Sequence, residues 1–147
     1  MVSIQAEGCA PLVKAFAEGR PASDFFNDAA TAASGLRVPK SYGDYIVLDI
    51  VRKSRGTAIA VSDKEIFAAL EDWARHEGFL LSPEGAAAAA AYTKLLSDGW
   101  IRDSDRVLLF NTGSALKYVD VIAANLKYKR PPQRAAAVNV GGIISPM

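Results

Sequence analysis

The sequence predicts an α/β fold, a parallel sheet flanked by helices in three layers, and three observations carry that prediction. Short runs of β-branched and apolar residues alternate with longer runs of helical periodicity. The longer runs are framed by residues that start and stop helices. One short run, "RVLLF" at 106–110, has four apolar residues in succession, the pattern of a strand covered on both faces in a parallel sheet.

The elements follow in order. "VSIQ" is a short β-branched run that opens the chain as a strand candidate. In "APLVKAFAEG", Pro11 suits a first helical turn, Gly19 suits the position past the end, and Leu12, Val13 and Phe16 share a face. From Arg20 to Lys40 the composition turns to Pro, Ser, Asp, Asn, Ala and Gly without a period. A loop of that length inside a compact domain is more often functional than idle. Ser41 and Asp44 have the spacing of a capping box ahead of a helix with Ile46, Val47, Ile50 and Val51 in a stripe, stopped at Gly56.

"TAIAV" is the next strand candidate, followed at once by Ser62 and Glu65, a second capping box. That box opens a helix with Ile66, Leu70 and Trp73 on one side, ended by Gly78. "SPEGAAAAAAYTKLLSDG" offers Ser82 as N-cap, Pro83 at the first position and Gly99 past the end, with a first half made of small residues that permit close approach. "RVLLF" then supplies the third strand. Two of the three strands are too apolar to have an edge in water, so the sheet calls for strands that this stretch does not supply. The organisation is an α/β region over 1–126 and a basic tail containing Pro and Gly over 127–147.

Composition narrows the function. Of the 147 residues, 50% are hydrophobic and 22% charged, which suits one globular domain with a core. Seventeen basic residues against 16 acidic ones leave a nearly neutral field, which gives no reason to expect nucleic acid or an anionic membrane as partner. Cys9 is alone, so neither an intrachain disulfide nor a multi-cysteine metal site can form, and a reduced cytoplasmic setting is the default. No leader is recognisable at the start, and no stretch approaches the roughly 20 apolar residues that span a bilayer. No metal site is expected.

The turn in "RVLLFNTGSALKY" looks at first like a phosphate loop, but its spacing is not that of GxxxxGK[ST]. There is no GxSxG elbow for a serine hydrolase, and the single histidine, His76, sits near a helix end where a surface role suffices. At the end of a parallel strand, such a turn faces the crevice where α/β proteins bind ligands. Read alone, it is equally a plain connection with Asn and Gly present for backbone freedom. Glu84 in the first turn of its helix is likewise accounted for by the helix dipole.

In order, "IQAEGCAPLVKAF", "ASGLRVPKSYGDYIVL", "TAIAVSDKEI", "EGFLLSPEGAAAAAA" and "RVLLFNTGSALKY" resemble the C-terminal part of the threonine synthase family, over about Val2 to Tyr118. These are pyridoxal-phosphate enzymes of the tryptophan-synthase-β, or fold-type II, class. The resemblance implies elimination of phosphate from O-phosphohomoserine and addition of water to give threonine, with the cofactor as electron sink. It implies that Thr112, in a turn with Gly113 and Ser114, gives its hydroxyl to the pyridine nitrogen. A hydroxyl is too weak an acid to protonate that nitrogen, so the ring stays neutral there. It places Glu84 near the same ring edge, and Ser34, Gly35 and Arg37 near the mouth, with Arg37 toward the substrate phosphate.

Two departures matter. Ala115 stands where the family has glycine, which would shift the turn if that position needs positive φ. The family's cofactor-anchoring lysine and its glycine-rich phosphate cup both precede the matched region, and neither Lys40 nor Lys117 has the anchoring setting. The expectation is therefore the back part of such an enzyme, with no catalytic residue of its own and no pyridoxal phosphate held by the chain alone. Its partners would be the missing N-terminal part, an amino-acid substrate and, at full length, a second copy in a homodimer. Two alternatives stay open: part of another fold-type II enzyme, a dehydratase or a β/γ-replacement enzyme, or a non-catalytic module that pairs through the uncovered sheet edge.

Overall fold

The computed structural model describes residues 1–126, so the expected basic tail over 127–147 lies outside the described residues. The fold is mixed α/β: β1 (Val2–Ala6), α1 (Pro11–Ala17), α2 (Asp44–Lys53), β2 (Thr57–Val61), α3 (Asp63–His76), α4 (Pro83–Ser97) and α5 (Val119–Asn125). Short 3-10 turns occupy Ser34–Leu36 and Ala115–Tyr118.

β1 and β2 pair in parallel, from Val2 opposite Thr57 to Ala6 opposite Val61. Parallel neighbours need a long crossover, and here it carries α1, the 20–40 loop and α2. The period of two puts Ile4, Ala6, Ile59 and Val61 on one face, and all four join the larger core with Ile66, Phe67 and Leu70 of α3 and the alanines of α4. A smaller core of Leu12, Ala15 and Leu48 lies between α1 and α2. On the α1 side, buried Gln5 turns its Oε1 to the N–H groups of Leu12 and Val13 at 2.8 and 3.1 Å. Gln5 thereby satisfies two amides that the first turn of α1 leaves open, in the absence of a capping side chain at Ala10.

The helix frames behave in two ways. Ser62 and Glu65 form the reciprocal capping box expected of them, and Ser82 accepts the Gly85 N–H at 3.2 Å with Pro83 beside it. Gly19, Gly78 and Gly99 take the left-handed conformation past their helices. Ser41 and Asp44 do not form a box: α2 begins at Asp44 after Gly43, without a side-chain cap. The buried Asp44 carboxylate instead accepts from Ser23 N–H and Oγ at 2.8 and 2.7 Å and from Lys40 Nζ at 2.6 Å. A tertiary anchor has taken the carboxylate that the local motif would use. Similarly α2 ends through Arg55 at φ 51° and not at Gly56. Gly56 serves close approach, since a methyl there would lie 1.8 Å from the Met1 carbonyl oxygen.

The third strand is the main correction. Residues 106–110 have no strand partner among the described residues, and Leu108 and Phe110 are 75% and 68% exposed. A run apolar on both faces becomes a strand only against neighbours, and the two-stranded sheet of the described residues offers it none. Ala115 is buried and opens a 3-10 turn without positive φ, so its methyl does not distort that position.

Candidate functional site

Three segments distant in sequence meet at the N-terminus of α4. The first is the Ser34–Leu36 turn. It lies within a long loop pinned where Asp63 accepts Thr31 Oγ1 at 2.5 Å and Ala32 N–H at 2.8 Å. The second is the entry to α4, where Ser82, Pro83 and Glu84 follow one another. The third is the Asn111–Ser114 turn with Tyr118 just beyond, tied to the α4 entry by an antiparallel bridge from Ser114 to Leu81.

Glu84 is the centre. Its Oε1 accepts the Tyr118 hydroxyl at 2.6 Å and the Gly35 N–H at 2.9 Å, and Ser34 Oγ donates to Tyr118 Oη at 3.3 Å. Burial pushes the Glu84 carboxyl up, but hydrogen bonds from Tyr118 and Gly35 outweigh burial and hold it below the ordinary glutamate value. The same contact raises Tyr118, because ionising its hydroxyl would set two anions together. The resting site therefore holds one negative charge, at the positive end of a 15-residue helix.

Glycines allow this packing. A methyl on Gly35 would lie 2.7 Å from Glu84 Oε1, and one on Gly85 would lie 2.1 Å from Asn111 Oδ1. Asn111 Oδ1 accepts from Ser82 Oγ at 3.2 Å, so one serine both caps α4 and holds the turn. Gly113 sits over this pair, its missing methyl 3.0 Å from Ser82 Oγ and 3.7 Å from Glu84 Oε2. Six successive alanines, Ala86 to Ala91, are buried behind Glu84 and let α4 sit against both strands and α3.

Of the residues singled out from sequence, Ser34, Glu84, Gly113 and Ser114 come together here. Thr112 stands in the same turn, exposed, and its hydroxyl makes no hydrogen bond among the described residues. Ser114 Oγ accepts the Leu116 N–H at 3.3 Å and so shapes the turn. Arg37 lies one residue past the 3-10 turn, exposed, with its side chain in no ion pair among the described residues. Sequence alone does not mark Tyr118 or Asn111 as site residues. The Asn of an Asn-Thr-Gly turn carried a local signal, but the tyrosine had none, because its partners lie 34 and 84 positions away.

The open turn carries the Thr112 hydroxyl, and the cluster at its base holds an ionised carboxylate, Glu84. They do not make a complete cofactor site. Among the described residues no lysine is hydrogen-bonded into this cluster, and Lys40 is engaged by Asp44 and the Ser23 carbonyl. His76 is exposed at the end of α3 beside Asp72, in keeping with a surface role. No group of metal-ligating side chains occurs among the described residues, and no described helix is long and apolar enough to cross a membrane.

Comparison with known proteins places these observations in a family. Residues 1–113 match the family model described as pyridoxal-phosphate dependent enzyme. The threonine synthase of Methanosarcina acetivorans is 39% identical over 117 residues, which are 80% of this chain and 29% of that protein. The threonine synthase of Methanocaldococcus jannaschii is 34% identical over 120 residues, 82% of this chain and 30% of that one. The chain thus spans about 30% of the length of these curated relatives. In fold it is similar to the crystal structure of the T.th. threonine deaminase, with a TM-score of 0.53 at 19% identity, covering 67% of this chain and 34% of that one.

Proposed function

The chain belongs to the pyridoxal-phosphate dependent enzyme family, and from that premise we propose that it forms the nitrogen-edge wall of the cofactor site in a threonine synthase-like lyase. The reaction is the conversion of O-phosphohomoserine and water to threonine and phosphate. The observation that carries the reading is the convergence at the N-terminus of α4 of the Ser34–Gly35 turn, bonded to Glu84, and the Asn111–Ser114 turn, bonded to Ser82, both within segments that resemble threonine synthase.

When bound, pyridoxal phosphate supplies an electron sink. The chain supplies its surroundings. Thr112 would donate its hydroxyl to the ring nitrogen and would leave that nitrogen neutral, since a hydroxyl does not give up its proton there. Gly113 and Ser114 shape the turn that presents Thr112, Ser82 holds that turn, and Glu84 beside it holds the Ser34 side. Arg37 receives the substrate phosphate, for which its guanidinium offers a bidentate fork.

The family's anchoring lysine and phosphate cup precede the matched stretch, so these 147 residues by themselves neither hold the cofactor covalently nor turn over substrate. The exposed Val107, Leu108 and Phe110 form the surface that the other part covers, by adding strands beside it. The complete enzyme works in the cytoplasm as a homodimer.

Complementation tests this. The chain is co-expressed with a polypeptide carrying the remaining part of a threonine synthase, and threonine formed from O-phosphohomoserine is measured. Activity is expected only when both are present, and Thr112→Val is expected to lower turnover on the order of tenfold, the loss of one hydrogen bond of about 1.4 kcal/mol. Turnover of serine or threonine in place of phosphohomoserine would favour a dehydratase. Unchanged turnover in the Thr112→Val variant would remove the role given to the hydroxyl.

A further inference from the structure

Tyr118 carries no local signal in the sequence, and its position is unusual. Its hydroxyl lies 2.6 Å from Glu84 Oε1 and 3.3 Å from Ser34 Oγ, so one phenol touches two of the three segments and is itself part of the third. Glu84 Oε1 accepts from the phenol and from the Gly35 N–H. Oε2 is the oxygen on the Gly113 side. The carboxylate is thus divided between two tasks.

We propose that Tyr118 is the positioning residue of the site: its hydroxyl fixes the Glu84 carboxylate so that Oε1 latches the Ser34–Leu36 turn while Oε2 stays turned toward Gly113 as an acceptor for a bound N–H or O–H group. The geometry requires a donor on the far side of the carboxylate from Gly113, because a glutamate held by one bond alone can rotate about its terminal torsion, which is broad. Two donors on one oxygen remove that freedom. The Ser34 hydroxyl, which reaches the phenol and not the carboxylate, holds the turn only secondarily. This proposal rests on the reading of the cluster as a cofactor wall for its purpose, but the latch itself is a property of the chain alone.

The test uses the full 147-residue chain without cofactor or substrate, so its failure is separable from failure of the complementation assay. NMR follows amide exchange at Gly35 and the pH titration of Glu84 seen through the Gly35 amide shift, in the unchanged chain and in Tyr118→Phe and Ser34→Ala. Tyr118→Phe retains the ring and its packing. It is expected to raise Gly35 exchange about tenfold, as loss of one charge-assisted hydrogen bond allows, and to move the Glu84 midpoint upward. Ser34→Ala is expected to leave both close to those of the unchanged chain. A purely structural role for the ring would move neither readout in Tyr118→Phe. Unchanged exchange and midpoint in that variant, or equal effects from Ser34→Ala, would overturn the proposal.

Discussion

Glu84 and Asp44 are both carboxylates whose folded surroundings favour the charged form, and they do different work. Glu84 joins the walls of the candidate site, whereas Asp44 ties the 20–40 loop to α2 through Ser23 and Lys40. The Lys40 ammonium and the Ser23 hydroxyl hold Asp44 well below the usual carboxylate range. Both folded values lie below the unfolded ones, so the stability they contribute is complete above the unfolded values of about 4 and is lost as pH falls through the folded ones. Urea unfolding across pH should therefore show a level plateau from neutral pH to about 5 and a decline below it. Asp44→Asn should lower stability at pH 7 by about 2 kcal/mol, the cost of weakening hydrogen bonds to a buried charge, and should flatten the acid decline. A variant with full stability at pH 7 would remove the anchor. Sequence showed the Ser41 to Asp44 spacing correctly but not which partner would take the carboxylate, since Ser23 lies 21 positions away.

Elements whose signals are local were legible. Ser62 with Glu65, and Ser82 with Pro83, start α3 and α4 as their side chains dictate, because a cap needs only residues within one turn. Ser62→Ala and Ser82→Ala should each cost about 1 kcal/mol in thermal or urea unfolding. Only Ser82→Ala should also alter the NMR shifts of Asn111 to Ser114, since of the two serines it is Ser82 that bonds to that turn; equal disturbance of the turn by both variants would argue against its double duty. The third strand was not legible as it stands. Four apolar residues in a row record that both faces are meant for burial, and this holds whether the covering elements are present or not. The site divides similarly: the Asn111–Ser114 turn and Glu84 stand out in the sequence, whereas Tyr118 enters only through contacts made by folding.

At the scale of the molecule, the same apolar run links fold to function. Val107, Leu108 and Phe110 are exposed beside the turn that carries Thr112, and the chain spans about 30% of the length of its threonine synthase relatives. A side chain that contributes to a partner interface and not to the core can be changed at little cost to the chain itself. Leu108→Ser should thus leave the unfolding free energy within about 0.5 kcal/mol of the unchanged chain and abolish association with the remaining part in sedimentation runs; strong destabilisation would mean that Leu108 is core. If this chain builds one edge of a cofactor site whose anchor lies elsewhere, the visible absorbance of the chain mixed with pyridoxal phosphate reports it. Only the spectrum of free cofactor is expected until the remaining part is supplied. A stable band from the chain alone, abolished by substituting one of its own lysines, would contradict it.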